Sequence, residues 1–519
     1  MDSKCVRERF ARLTVALSVV VFGFTPLVLG AEYSLIVDEF NARASVGAGA
    51  PLLPSGFPPA WRSRPVRLNP LIATPDVLAE GDVLILSLFA DTVYRARIDR
   101  VFVNINGTVT VRGRIEGYSL AYLLISTTAD CSLGSIRIPE KGKYYVIQSE
   151  PHDRIHYLID VDVDQLEKPP AAPTTPIPPP PTPQEAAERG MLAATLAGGP
   201  LDPATIDVMV VYTPAALNLL GGLSDINNFI GQTIENANLA LDNSNTKLTM
   251  NLVHSAKVDY VEDSNSYIIL DRLTYYAGFD PWNSDPCSYM DEVHNWRDEY
   301  SADLVVLLTD VNDYGGLGWL LSSDYWPDGA PYYGFSLTSV RWTTWAINNF
   351  VTIHEMGHNM GCHHSRDQEV ERGPGLFDYS AGWYFNGQSG KPYCTVMAYQ
   401  DKDNDEIEDY ERVGFFSTPL ISHDGRPVGD EVEADNARTI RETKFVVAGY
   451  REVIDIGLRV YDGTEIIRIA CEPKGSLTSP LRIRKNGVTY GIVLVDTPNP
   501  HASKIRVQTS SKVKALRKL

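Results

Sequence analysis

Residues 351 to 365, "VTIHEMGHNMGCHHS", place four histidines, His354, His358, His363 and His364, beside one carboxylate, Glu355, with a glycine, Gly361, between the second and third of them where a helix would stop. Metal ligands must converge from a rigid frame, and a helix provides one when two of them sit four residues apart on the same face. His354 and His358 have that spacing. Upstream, "TTWAINNFV" offers Thr343 or Thr344 as an N-cap and Ile347, Phe350 and Val351 at helical intervals, with no Pro or Gly before Gly357, so one continuous helix is predicted through the pair. Gly361 can adopt positive φ and end that helix, turning the chain so that His364 comes back toward the pair. Three imidazoles with a fourth position open to water describe a catalytic rather than a structural zinc site. His363, one residue out of register, is expected to be a solvent-facing or supporting neighbour.

Glu355 follows the first histidine and therefore points beside the metal, within reach of a metal-held water as its general base. The full pattern His354-Glu355-x-x-His358-x-x-Gly361-x-x-His364 resembles the signature of metzincin peptidases. The resemblance implies a methionine-containing turn beneath the zinc, matched by Met397 in "KPYCTVMAYQ". It also gives Tyr399, two residues further on, a contact with the metal or with the oxyanion, against the plainer reading of a packed tyrosine. Residues 204 to 452 resemble bacterial reprolysin-like peptidases, including the peptidyl-Asp metallopeptidases. There "IDVMVVYTP" opens as a buried strand, Ile226, Phe229, Ile230, Ile234, Ala237 and Leu241 line one helical stripe, and "ADLVVLLTD" is a second buried strand. By the same resemblance "GAPYYGFSLTSV" is the edge strand that aligns an extended peptide. Reprolysin-like enzymes carry Asp after the third histidine; Ser365 stands here, which puts any bond from that carboxylate to the methionine turn in doubt.

The rest of the chain frames this domain. Basic residues precede a long apolar run in residues 1–31, ending in small residues near Gly30 and Ala31, which reads as a secretory signal, with an uncleaved anchor as the alternative. No later run is long enough to span a bilayer. Residues 32–165 alternate apolar and polar around turns such as "NINGT" and read as an all-β domain, a propeptide by position and resemblance. Residues 166–203 contain "KPPAAPTTPIPPPPTP", an extended proline-rich linker expected to stay outside any packed core, and a processing region after it. Residues 453–519 alternate again and read as a small β module with a basic tail. The expected architecture is thus multi-domain, with an α/β metzincin-type catalytic domain of mixed sheet and long helices between two β regions.

Lys and Arg number 46 against 65 Asp and Glu, a net charge of −19, which argues against nucleic acid and suits a protein working outside the cell, at its surface or in a periplasm. Composition says nothing about oligomeric state. Once Cys5 has left with the signal, five cysteines remain, an odd number. Cys362 ends the metal helix and Cys394 precedes the methionine turn, two segments the metal would bring together, so a disulfide between them is expected, with two buried thiols as the alternative. Cys131 is then a candidate thiol cap for the metal, although "TADCSLGS" matches no known cysteine-switch motif and a structural role is the plainer reading. Asp401, Asp403 and Asp405 alternate as in a calcium loop, but Glu406 replaces the turn glycine and Arg412 the closing glutamate, leaving Ca2+ against an exposed acidic loop. These features together predict a secreted zinc endopeptidase acting on proteins or peptides. The competing class is a binding or adhesion protein on the same scaffold, for which an intact Glu355 would serve no purpose.

Overall fold

A computed structural model of the chain describes residues 30–37, 53, 56–74, 76–150, 155–170, 172–181, 198–276 and 289–451, and beyond them the backbone of six short strands between 458 and 518. The expected signal, apart from its last two residues, and the processing region at 182–197 lie outside the described residues. Among those described, no helix is long and apolar enough to cross a membrane.

The N-terminal region is a nine-stranded sheet, as its alternation predicts. Its strands are β1 (Glu32–Ser34), β2 (Ala60–Val66), β3 (Val83–Phe89), β4 (Thr92–Val103), β5 (Val109–Ile115), β6 (Tyr122–Thr127), β7 (Ser132–Ile138), β8 (Lys143–Ser149) and β9 (His156–Val161), in the order β1-β3-β4-β5-β6-β7-β8-β9-β2. Only the β1–β3 pairing is parallel. Gly107, at φ +85°, makes the turn that joins β4 to β5. In β3 the side chains of Leu84, Leu86 and Leu88 are buried while Ser87 between them is exposed, the period of two that builds a one-sided core.

The following region is α/β. Its elements are β10 (Ala204–Tyr212), α1 (Pro214–Leu220), α2 (Leu223–Asn243), β11 (Leu248–Lys257), α3 (Ser266–Thr274), α4 (Asp291–Glu299), β12 (Leu304–Thr309), β13 (Gly316–Gly318), β14 (Phe335–Ser339), α5 (Thr343–Asn348), α6 (Val351–Asn359) and α7 (Asn436–Val447). The sheet order is β11-β10-β12-β14-β13, parallel except for the antiparallel β13 at one edge. β10 and β12 are the two buried strands expected. The expected edge strand is not at the edge: β14 lies between β12 and β13, and the free edge is "GLG", too short and too rich in glycine to read as a strand. Beyond residue 457 the six described strands pair antiparallel into a separate sheet.

The single helix predicted through the histidine pair is instead two. α5 ends at Asn348, Phe350 takes φ +56°, and α6 begins at Val351, with neither predicted threonine acting as N-cap. Three successive carbonyls at the break are taken by side chains from elsewhere. Asn236 donates to Ile347 O at 2.8 Å, Arg137 to Asn348 O at 2.9 Å and Arg412 to Asn349 O at 2.9 Å. Buried carbonyls need partners, and here tertiary donors replace the helical ladder.

α2 explains how the two regions meet. Its predicted apolar stripe packs on the mixed sheet, and Tyr122 and Leu124 of β6 join the same core. The opposite face, which the pattern leaves to solvent, is also buried, among β5, β6, β7 and their turns. Asn228 Nδ2 donates to Cys131 O at 3.0 Å, Gln232 bonds Ser135, and Glu235 lies 3.1 Å from Arg100 and 3.6 Å from Arg112. A Cβ on Gly231 would come within 2.8 Å of Thr108 Oγ1, so the glycine lets the sheet reach the helix. Glu235 is 1% exposed, and burial pushes its carboxyl upward while both arginines oppose the shift. Breaking such a pair from one side leaves an uncompensated buried charge, which costs about 3–5 kcal/mol. Glu235→Ala should therefore lower the thermal midpoint of the whole protein by several degrees, and adding Arg112→Met should restore part of the loss; calorimetry on the two variants checks it.

Candidate active site

α6 closes in a motif that the sequence anticipates at Gly361. Gly361, at φ +87°, donates to His358 O at 2.9 Å, and Cys362 N donates to Gly357 O at 3.0 Å. Both bonds satisfy carbonyls that the helix end would orphan, and they reverse the chain. The reversal carries His364 to the pair: its Nε2 lies 3.1 Å from Nε2 of His354 and 3.1 Å from Nε2 of His358. All three rings are buried.

Each ring is held from behind by a backbone carbonyl. His354 Nδ1 meets Val396 O at 2.9 Å, His358 Nδ1 meets Cys362 O at 3.0 Å and His364 Nδ1 meets Glu371 O at 2.9 Å. A carbonyl accepts only from Nδ1–H, so every Nε2 is left with a lone pair aimed at the other two. Burial lowers all three imidazoles, His354 to about 3, which keeps them in the neutral form that ligates metal. Three lone pairs at this separation repel one another unless a cation sits between them. Two Zn–N bonds of about 2.0–2.1 Å at a tetrahedral angle place their nitrogens about 3.3 Å apart, so the site fits zinc. Among the described residues this trio is the one cluster of His, Cys, Asp and Glu able to hold a metal.

The methionine turn lies beneath. Met397 is buried, and a Cβ on Gly357 would stand 2.8 Å from its sulfur, so the glycine admits the turn against the helix. The Tyr399 ring centroid is 4.4 Å from that of His364. Burial first, then the neighbouring Glu355 and Glu371, push its hydroxyl well up, so it stays a proton donor. Glu355 faces the edge strand, since a Cβ on Gly316 would fall 2.5 Å from its Oε1 and a Cβ on Gly318 would fall 2.7 Å from its backbone O. Burial raises the Glu355 carboxyl to about 8. A divalent cation against the imidazoles acts in the opposite sense and favours the carboxylate.

Other expectations fare differently. His363 is buried rather than solvent-facing, and its Nδ1 accepts from His364 N at 2.7 Å. Cys362 and Cys394 are free thiols, not a disulfide. The metal site does bring their segments together, but the side chains enter different cores: Cys362 Sγ lies 3.6 Å from Asn436 O on α7, and Cys394 packs with Tyr384 and Ala398. Cys131 cannot cap the metal, because its sulfur is buried against Asn228 Nδ2 of α2 at 3.0 Å. The calcium reading has no support either. Asp401 turns its two carboxylate oxygens onto the Asp405 and Glu406 amides of its own loop.

Two residues with no signal in the sequence complete the site. Gln368 is fully buried, and its Oε1 accepts from Ser365 N at 3.3 Å and from Tyr399 N at 3.2 Å. It makes the link between the third histidine and the methionine turn that an Asp at 365 was expected to make. Arg412, 5% exposed, lines the cleft and clamps Asn349 O and Ala398 O, the latter at 2.8 Å. The cleft itself, about 520 Å3, is walled by the three histidines, Glu355, Tyr399, Arg412, β13, and, against expectation, by the proline-rich segment from Lys168 to Pro176.

Residues 202–407 match the model of Metallo-peptidase family M12, Reprolysin_5. The chain is a zinc metalloendopeptidase whose residues 202–407 are similar to the reprolysin-like peptidases. The peptidase is similar to the peptidyl-Asp metalloendopeptidase of Stenotrophomonas maltophilia (strain K279a), 28% identical over 63% of this chain and 70% of that one. The protein of that name from Xanthomonas campestris pv. campestris is 27% identical over 63% of this chain and 69% of its own. That of Pseudomonas aeruginosa is 29% identical over 51% and 44%.

The glycines of β13 give the site its first test. In Gly316→Ala the new methyl would stand 2.5 Å from Oε1, 2.7 Å from Cγ and 2.8 Å from Cδ of Glu355, pressing on that side chain and not on backbone, so proteolysis should fall by about a hundredfold with zinc content and thermal midpoint nearly unchanged. Gly318→Ala presses on helix backbone and should lower both activity and stability. Parallel measurement of zinc, melting and peptide turnover distinguishes them.

Proposed function

We propose that the protein is a secreted endopeptidase in which Glu355 is the general base and His354, His358 and His364 hold the zinc. The observation that carries this reading is the buried Glu355 carboxyl standing between the converged imidazoles and the edge strand of the cleft. When bound, zinc polarises the scissile carbonyl and acidifies a water molecule. β13 offers its unpaired edge to an extended substrate backbone. Glu355 Oε1 takes a proton from the attacking water and passes it to the leaving nitrogen, and the protonated Tyr399 hydroxyl donates to the oxygen on which negative charge develops. Met397 and Gln368 keep the ligand helix, the third histidine and Tyr399 in register. Residues 32–165 act as a propeptide and residues 453–519 as an accessory β module.

The substrate reading follows the relatives: cleavage beside aspartate, with Arg412 as the cation that receives the acidic side chain. Arg412 has no carboxylate partner within salt-bridge distance among the described residues, and its Nε has no hydrogen-bond partner. A buried guanidinium in this condition selects an anion strongly.

Glu355→Gln should retain one zinc per chain while peptide turnover falls by about 10²–10⁴-fold, and His358→Ala should lose zinc and turnover together. Normal turnover by Glu355→Gln would remove the general-base assignment. For Arg412→Lys, the ratio of kcat/KM between matched Asp and Asn peptides should drop about tenfold or more. A purely structural role would lower both rates and leave the ratio unchanged.

A further inference from the structure

We infer that the cleft is a binding site for an extended proline-rich peptide, and that residues 168–179 are its resident ligand, holding the peptidase closed. Six of these twelve residues are proline, which favours the polyproline II conformation. From Thr174 onward the burial pattern has the threefold period of that helix: Thr175 and Pro178 are buried, while Thr174, Ile177 and Pro180 are exposed. The segment follows the free edge of the sheet. Pro169 packs on Gly315, where a Cβ would stand 3.1 Å from its Cγ, and seven residues later Pro176 O accepts from Leu320 N at 2.9 Å. It therefore runs in the same direction as β13 and covers the side that a substrate strand would pair with.

Anchors along the whole length come from residues outside the proposed chemistry. Tyr267 Oη donates to Thr174 O at 2.7 Å and Tyr325 Oη to Pro179 O at 2.7 Å. Thr175 N donates to Glu371 Oε2 at 2.9 Å, and Lys168 Nζ donates to Glu406 O at 3.0 Å and lies 3.6 Å from Glu408. The acidic loop at 401–408 thus serves as the seat for Lys168. Glu371 also gives its backbone carbonyl to His364, so the same residue touches both the ligand segment and the third imidazole.

The chemistry of proline explains how such a segment occupies a peptidase without becoming its substrate. Proline nitrogens carry no hydrogen, so the segment cannot form the ladder by which β13 would align a scissile bond. Binding relies on a backbone that is already extended and loses little entropy on docking. Affinity of a detached segment is then modest, but tethering supplies an effective concentration of about a millimolar, enough to keep the cleft filled in the intact chain.

The activity arm of the test rests on the endopeptidase reading; a binding arm does not. In the full-length protein freed of its signal, Pro173→Gly/Pro176→Gly/Pro178→Gly loosens the segment, and Tyr267→Phe/Tyr325→Phe removes two anchors while leaving the segment intact. Fluorescently labelled KPPAAPTTPIPPPP should bind the proline variant, whose cleft keeps both anchors, at least tenfold more tightly than it binds the wild type, by anisotropy. Peptide turnover should rise at least tenfold in both variants, and the unlabelled peptide should suppress it competitively. Equal binding of the labelled peptide to wild type and to the proline variant would overturn the inference, as would full turnover by the wild type. Tighter binding without turnover in any form would keep the inference and remove the endopeptidase reading.

Discussion

Three backbone carbonyls, those of Val396, Cys362 and Glu371, each take the Nδ1 proton of one histidine, and much of the molecule is arranged to deliver them. Val396 belongs to the methionine turn, which reaches α6 only because residue 357 has no side chain. Cys362 follows the left-handed Gly361 that ends the helix. Glu371 stands in a loop whose backbone adopts φ +50°, uncommon for a residue with a side chain. With the outer nitrogens fixed, the inner ones face one another at a separation that only a cation makes favourable. The folded chain thus carries the cost of gathering neutral imidazoles before any metal arrives.

The sequence makes much of this legible, because the ligands are local and their geometry is helical. The spacing of His354 and His358, the stop at Gly361 and the return of His364 are properties of one short segment. So are the alternating strands of the N-terminal sheet and the apolar stripe of α2. What escapes is non-local. Nothing in "TTWAINNFV" reports that Asn236, Arg137 and Arg412 will take three successive carbonyls and break the helix. The polar face of α2 looks solvated until the N-terminal sheet supplies partners for Asn228, Gln232 and Glu235. Gln368 bridges Ser365 and Tyr399 from a position no motif marks. The expected disulfide failed for a related reason: backbone proximity was inferable, but the direction of two side chains was not.

The proline-rich segment shows the same limit from the other side. Its composition excludes a conventional core, and yet it is held along a cleft, because a polyproline helix can bury every third residue while asking for few backbone hydrogen bonds. It connects the N-terminal sheet to the catalytic site without a thiol. Arg137 and Arg412 strengthen that connection, since Arg137, of the sheet, bonds the carbonyl of Arg412 as well as the break before α6. The two regions therefore share the residues that position the metal helix, and are best regarded as one cooperative unit in the intact chain.

Zinc K-edge X-ray absorption on the full-length protein tests the centre of this account most directly. Three histidine nitrogens at about 2.0–2.1 Å with no sulfur neighbour are predicted, and His364→Ala should remove one of them or the zinc itself. A sulfur shell near about 2.3 Å would show that a thiolate takes part, and an unaltered spectrum in His364→Ala would show that the third imidazole does not; either result would contradict it.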